Sequence, residues 1–167
     1  LMQTFFTEHY IICKYKNSGV NYFNFYNYDG TFVRKIDVPN GMDVRYDYYD
    51  EDTRDFYFGV YSYVLPFRNF KINILTGVEQ PYFSINNRAK PTLFPLNYFE
   101  TKTISYQSRD NVAIPITIIY KKGMLLDGNN PTLLKAYGGF GVVSSPSYDT
   151  GLLYFLEKGG VFAYPEI

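Results

Sequence analysis

Tight turns punctuate the first half of this chain at a spacing that leaves little room for helices. Asn17-Ser18-Gly19, Tyr28-Asp29-Gly30 and Pro39-Asn40-Gly41 are flanked by short runs rich in Tyr, Phe, Ile and Val. Glycine after Asn or Asp supplies the positive φ that a hairpin turn needs, and strand-forming residues on either side complete the signature. Strand-like runs fall at His9 to Lys16, Asn21 to Tyr28, Phe32 to Val38, Phe56 to Tyr63, Phe70 to Leu75 and Pro81 to Ile85. In one of them Phe70, Ile72 and Ile74 alternate with Lys71 and Asn73, the period of a strand buried on one face. The expectation is an antiparallel meander over the first 90 or so residues.

Composition agrees. Aromatic residues make up 20% of the chain, 19 Tyr and 15 Phe, and flat rings suit a pleated surface. Sixteen basic residues balance 16 acidic ones, so there is no electrostatic footprint for nucleic acid or an anionic membrane, and a peptide, protein or small-molecule partner is favoured. Cys13 is the single cysteine, which rules out an intrachain disulfide and reads as a small buried apolar group. No apolar run reaches the roughly 18 residues of a membrane-spanning helix, no signal peptide is evident, and Pro131 disqualifies Asn130-Pro131-Thr132 as a glycosylation site.

Four-stranded sheets of about 40 to 50 residues are the size of β-propeller blades, and the first part of the chain has room for two. Two blades do not close a ring, so the region reads as part of a larger one. Two prolines within Ala89-Lys90-Pro91-Thr92-Leu93-Phe94-Pro95 mark a boundary, giving residues 1–91 as blades and 92–167 as a second unit. Beyond it Tyr98 to Gln107 alternates, Ser108-Arg109-Asp110-Asn111 turns, and Val112, Ile114, Ile116, Ile118 and Tyr120 share one face of a strand. Thr132 to Tyr137 reads as a short buried strand. A helix follows, with Ser147 or Asp149 as cap, Leu152, Phe155 and Leu156 on one stripe, and Gly159-Gly160 as its stop. Val161 to Tyr164 is a further buried strand, and strand, loop, helix, strand is the order of an α/β unit with a parallel pair.

Chemistry concentrates at Tyr137-Gly138-Gly139-Phe140-Gly141, where the first strand of that unit ends. A phenol is a neutral donor at pH 7, and adjacent glycines let a substrate come close to the backbone. Such a turn can stabilise negative charge on a reacting carbonyl oxygen. The same residues also make an ordinary turn, so the surroundings decide.

Those surroundings carry a resemblance. Ser108 to Pro115, Tyr120-Lys121-Lys122-Gly123, Leu126 to Pro131, Tyr137 to Phe140 and Gly159-Gly160-Val161-Phe162-Ala163 resemble, in order and spacing, the opening of the catalytic domain of the prolyl oligopeptidase family. A weaker likeness runs through residues 1–91, where Phe56 to Thr76 resembles a late blade of that family's seven-bladed propeller. The resemblance implies a mostly β chain with some α/β: the last two blades, then the first strands and first helix of a truncated α/β-hydrolase domain. It implies a serine endopeptidase, cytoplasmic or periplasmic, that cleaves short peptides after proline through an acyl-enzyme, with a proline-containing oligopeptide as substrate and no cofactor or metal. It gives Tyr137 the role of oxyanion donor and Phe140 a place in the wall of the proline pocket. The second glycine of the turn, Gly139, favours the prolyl branch over oligopeptidase B, whose turn usually has serine there. Gly141 departs from the family, where many members have asparagine.

A complete hydrolase of this kind needs a G-x-S-x-G elbow followed by an acid and a histidine. The sequence contains no such elbow, and its one histidine, His9, reads as a blade strand residue. Ser144, Ser145 and Ser147 read as turn and capping residues with no base to activate them, and Asp47, Asp50, Glu51, Asp52 and Asp55, interleaved with Arg45 and Arg54, read as a solvated loop. The chain alone is therefore expected to be inactive, its coding sequence continuing towards an Arg-Gly-Gly-Gly run and then the elbow. Exposed apolar edges are expected around Val161 to Tyr164. The alternative is a noncatalytic β-rich binding module, which would be stable and monodisperse by itself.

Overall fold

In the computed structural model, which describes residues 1–17, 19–82, 92–141 and 145–167, the hairpin turns build two four-stranded antiparallel meanders. The first takes β1 (Gln3–Phe6), β2 (Ile11–Asn17), β3 (Val20–Tyr26) and β4 (Phe32–Asp37), and the second β5 (Asp43–Asp50), β6 (Asp55–Tyr61), β7 (Arg68–Asn73) and β8 (Glu79–Pro81). Each has the strand order of a propeller blade, and the two pack face to face. Their shared core holds Ile12, Phe23, Phe25, Val44, Phe56 and Ile74, all fully buried. Phe56 lies at its centre, with ring centroids 5.4 Å from Phe23, 5.9 Å from Phe5 and 5.1 Å from Tyr46.

Two strands depart from the sequence reading. β1 was not anticipated, and His9 lies in the turn between β1 and β2 rather than in a strand, where Thr7 Oγ1 accepts from the Tyr10 amide at 2.9 Å. The acidic run is also no loop. Asp47 and Asp50 belong to β5, Asp55 opens β6, and only residues 51–54 form the turn between them. A bulge between Tyr46 and Tyr48 shifts the register of β5 against β6 and breaks the period-two alternation by which a strand is recognised. Asp50 Oδ1 accepts from the amides of Asp52 and Thr53, while Asp55 Oδ2 holds the Lys71 ammonium at 2.6 Å. The final run of the second blade ends at Pro81. Residues 83–91, Ser18 of the first turn and Ser144 lie outside the described residues, and with them the expected boundary at residue 91 and the rest of the Pro81 to Ile85 run.

The third sheet comprises β9 (Phe99–Gln107), β10 (Ala113–Lys121), β11 (Thr132–Leu134) and β12 (Val161–Pro165), in the order β11-β12-β10-β9. β9 and β10 form a long hairpin, β12 lies antiparallel to β10, and β11 runs parallel to β12, with the helix α1 (Thr150–Glu157) crossing between them. Asp149 caps that helix, its Oδ1 accepting from the Gly151 amide at 2.8 Å; Ser147 does not. Ile119, Leu152, Leu156, Phe162 and Tyr164 make the core beneath α1, and Tyr63, reaching over from the segment after β6, completes it at 4.7 Å from Phe162.

The core face of β10 is thus the one carrying Thr117 and Ile119. The face shared by Ile114, Ile116 and Ile118 is only half-covered, and Val112 is 52% exposed. β11 is exposed throughout, with Leu134 at 64%, whereas Val161 to Tyr164 are buried. The open apolar edge of the sheet is therefore β11 and not β12. An outermost strand has a neighbour on one side only, and among the described residues no layer covers this one.

The blades and the third sheet meet along a close seam. Gly41, with φ of +75°, sits against Thr101 of β9 so tightly that a Cβ there would stand 2.1 Å from the Thr101 methyl. Thr103 Oγ1 donates to Asn40 Oδ1 at 3.0 Å nearby.

Candidate functional site

Parallel strands direct their carboxyl ends to the same edge of a sheet, and in α/β folds that edge is where ligands bind. Here β11 and β12 end side by side. Lys135 extends the ladder by one bond to the Ala163 carbonyl at 3.0 Å, after which the chain turns away through Tyr137-Gly138-Gly139-Phe140-Gly141. Gly138 packs on Ile167, just past the end of β12: a Cβ on Gly138 would lie 3.2 Å from the Ile167 carbonyl oxygen and 3.0 Å from its Cγ1. Glycine at this position lets the two strand ends touch.

Residues 139–141 form one turn of 3₁₀ helix in which Phe140 is left-handed, with φ 59° and ψ 24°. For an aromatic residue that conformation costs roughly 1–3 kcal/mol. Phe140 recovers none of it by packing, since the side chain is 98% exposed. Tyr137 is half-exposed and folds back over the turn, its hydroxyl 3.4 Å from where a Cβ on Gly139 would stand. A phenol donor and a bare aromatic ring therefore project together from one strained turn. Both residues read as a site in the sequence are brought into it.

Serine and histidine are not brought there. His9 Nε2 accepts from Arg54 Nε at 3.3 Å, at the opposite end of β2 from Lys16, which reaches the third sheet. Ser145 lies beside Asp43 and Tyr61 of the second blade, and both it and Ser147 are exposed.

The flanks of the turn carry charges that no local pattern announces. Lys16 Nζ of β2 pairs with Glu166 Oε1 at 3.1 Å, both side chains largely buried. Lys14 Nζ pairs with Asp43 Oδ1 at 3.0 Å, and Tyr61 donates to Asp43 Oδ2 at 3.4 Å. Burial pushes the Asp43 carboxyl up, but the Lys14 charge and hydrogen bond, with those of Ser145 and the Val44 amide, outweigh it and hold the group below the ordinary value of 3.8. Burial, with Asp43 next in importance, pushes the Tyr61 phenol up. Partners so far apart in the chain leave no periodic trace.

No protein-family model matches the chain. The prolyl endopeptidase of Elizabethkingia meningoseptica is 31% identical over 158 residues, taking in 95% of this chain and 22% of that protein. A solved chain from a study of two prolyl endopeptidases superposes with a TM-score of 0.83 at 23% identity, covering 99% of this chain and 24% of its own. Prolyl oligopeptidase B of Galerina marginata, bound to a 35mer hydrolysis and macrocyclization substrate, superposes with a TM-score of 0.80 at 21% identity, over 100% of this chain and 24% of its own. The chain spans 22% of the length of each of the two Elizabethkingia prolyl endopeptidases it matches. With sequence shared along nearly its whole length and the same disposition of its sheets, the chain belongs to the prolyl oligopeptidase family.

Proposed function

We propose that this chain supplies one flank of the active site of a serine endopeptidase that cleaves short peptides after proline. Residues 1–91 are the last two blades of its propeller and 92–167 the start of its α/β-hydrolase domain. Tyr137 donates to the oxyanion, and Phe140 forms part of the wall that takes the substrate proline. The observation that carries this reading is the left-handed, fully bare Phe140 beside Tyr137 at the carboxyl ends of two parallel strands. A strained aromatic that packs on nothing is explained by what it meets in a complex. The peptide held by the Galerina relative supports an oligopeptide as substrate.

The chemistry follows from the donor. When a serine oxygen attacks the peptide carbonyl, negative charge gathers on the carbonyl oxygen. A hydroxyl already aimed at that point stabilises the charge without reorganising, worth about 3–4 kcal/mol for a rigid donor. The pyrrolidine ring of proline is compact and apolar and packs its C–H groups against an exposed phenyl face. Nucleophile, acid and base come from outside these 167 residues, since the sequence has no G-x-S-x-G elbow, and the chain alone does not hydrolyse peptides.

The test is Tyr137→Phe in the full-length protein, assayed on a proline-containing peptide. Loss of the hydroxyl lowers kcat by roughly 10- to 1,000-fold, less than a lost rigid backbone donor where water substitutes. An unchanged kcat removes Tyr137 from the mechanism.

A further inference from the structure

The blades reach both flanks of the Tyr137 turn. On one side Lys16 of β2 holds Glu166, whose neighbour Ile167 rests on Gly138. On the other side Asp43, held by Lys14 and Tyr61, lies within electrostatic reach of Ser145, eight residues beyond Tyr137. Lys16, Glu166 and Asp43 line one cleft of about 20 Å³ together with Tyr63 and Pro146. That space admits a single water at most, so the charges inside it act with little solvent screening. Gly19 fits the same seam, with φ of +81° and no side chain: a Cβ there would stand 3.2 Å from Glu166 Oε1.

Glu166 is fixed at both ends. Its amide donates to the Pro115 carbonyl at 2.8 Å, which binds the end of β12 to β10, and its carboxylate is pinned by the lysine of the blade. Ile167 then lies so close to Gly138 that a Cβ on Gly138 would stand 3.2 Å from the Ile167 backbone oxygen and 3.0 Å from its side chain. A backbone contact has no rotamer by which to escape, so a shift of Glu166 is a shift of the Tyr137 turn.

We propose that Lys16 and Glu166 are positioning residues for the oxyanion donor: the ion pair between blade and hydrolase sheet sets where the Tyr137 turn stands. The inference rests on the reading of Tyr137 given above. It gives the propeller a part in the chemical step, separate from any role in admitting substrate. Catalytic groups must be held to within about 0.5 Å, and a misplacement of about 1 Å costs up to about 100-fold in rate, so a largely buried ion pair one residue from Ile167 has leverage.

The experiment uses the full-length protein and a proline-containing peptide. Lys16→Met lowers kcat by about 3- to 10-fold with KM changed by less than about twofold, because alignment is lost and not affinity. The charge-reversed variant K16E/E166K recovers most of that loss. Lys16→Met added to Tyr137→Phe costs nothing further, because a positioning residue has nothing left to position. Amide exchange over residues 136–141, measured well below the melting temperature, rises in Lys16→Met and reads the turn directly should the variant be too weak to assay. An unchanged kcat or unchanged exchange in Lys16→Met overturns the proposal. So does a loss that multiplies with that of Tyr137→Phe, which leaves Tyr137 as the donor while removing Lys16 from its support. A full rate in Tyr137→Phe overturns the donor reading and this proposal with it.

Discussion

The two blades and the third sheet are of similar size and equally apolar, yet they reach different degrees of completion. Each blade serves as the other's lid: Phe23 and Phe25 of one meet Phe56 of the other edge to face at 5.4 Å and 6.2 Å, and all three rings are fully buried. The third sheet has one face closed by α1 and Tyr63, while Ile104 and Leu134 stand 49% and 64% exposed. An antiparallel meander needs cover on one face to be stable, whereas a sheet with parallel strands is built for layers on both. The same apolar composition therefore makes a finished core in one region and an unfinished surface in the other.

Three measurements test that contrast. The largest effect is expected at its strongest point: Phe56→Ala removes the ring at the centre of the blade core and costs about 3–5 kcal/mol in denaturant unfolding. A cost below about 1 kcal/mol would mean that the blades are not each other's cover.

An intermediate effect belongs to the seam. Asp43→Asn breaks the tie to Lys14 and costs about 1–3 kcal/mol at neutral pH. Because the folded Asp43 carboxyl titrates below its ordinary 3.8, its contribution is complete above that value and is lost as the pH falls through the depressed one. The difference in Tm between wild type and Asp43→Asn therefore narrows on acidification below 3.8. A difference that stays constant throughout the acid titration breaks the assignment.

The smallest effect sharpens the comparison. Leu134→Lys on the open edge changes stability by less than about 0.5 kcal/mol, because nothing covers that side chain. It also reduces self-association of the 167-residue chain in size-exclusion chromatography, since a lysine on an edge strand opposes pairing with a second copy.

Legibility in the sequence followed the same division. Turn-bounded strands such as β3 and β7 announced themselves, because Asn-Gly and Asp-Gly turns and period-two alternation are local signals. β1 is only four residues long, and β5 combines an acidic composition with a bulge, so neither presents a clean period. The apolar run of β11 reads as buried, whereas the strand is exposed. Hydrophobicity states what a segment prefers, not whether a partner is at hand. At the candidate site the glycine turn and its tyrosine were visible, helped by the family resemblance. The strain at Phe140 and the pairing of Lys16 with Glu166 were not, since one is a backbone angle and the other joins opposite ends of the chain.

The strand order β11-β12-β10-β9 carries a consequence for how the molecule is made. Both blades are closed by pairings between neighbours in sequence, so each can form as soon as its residues leave the ribosome. The third sheet cannot. β12 follows the other three strands in sequence yet sits between β10 and β11, so β11 has no partner and β10 only the β9 side of its hairpin until Val161–Pro165 has been synthesised. For that interval Leu133 and Leu134 belong to a strand without a neighbour, and the turn bearing Tyr137 has nothing to stand on. The Tyr137 turn is thus assembled after the blades, onto a blade surface already in place to receive Glu166.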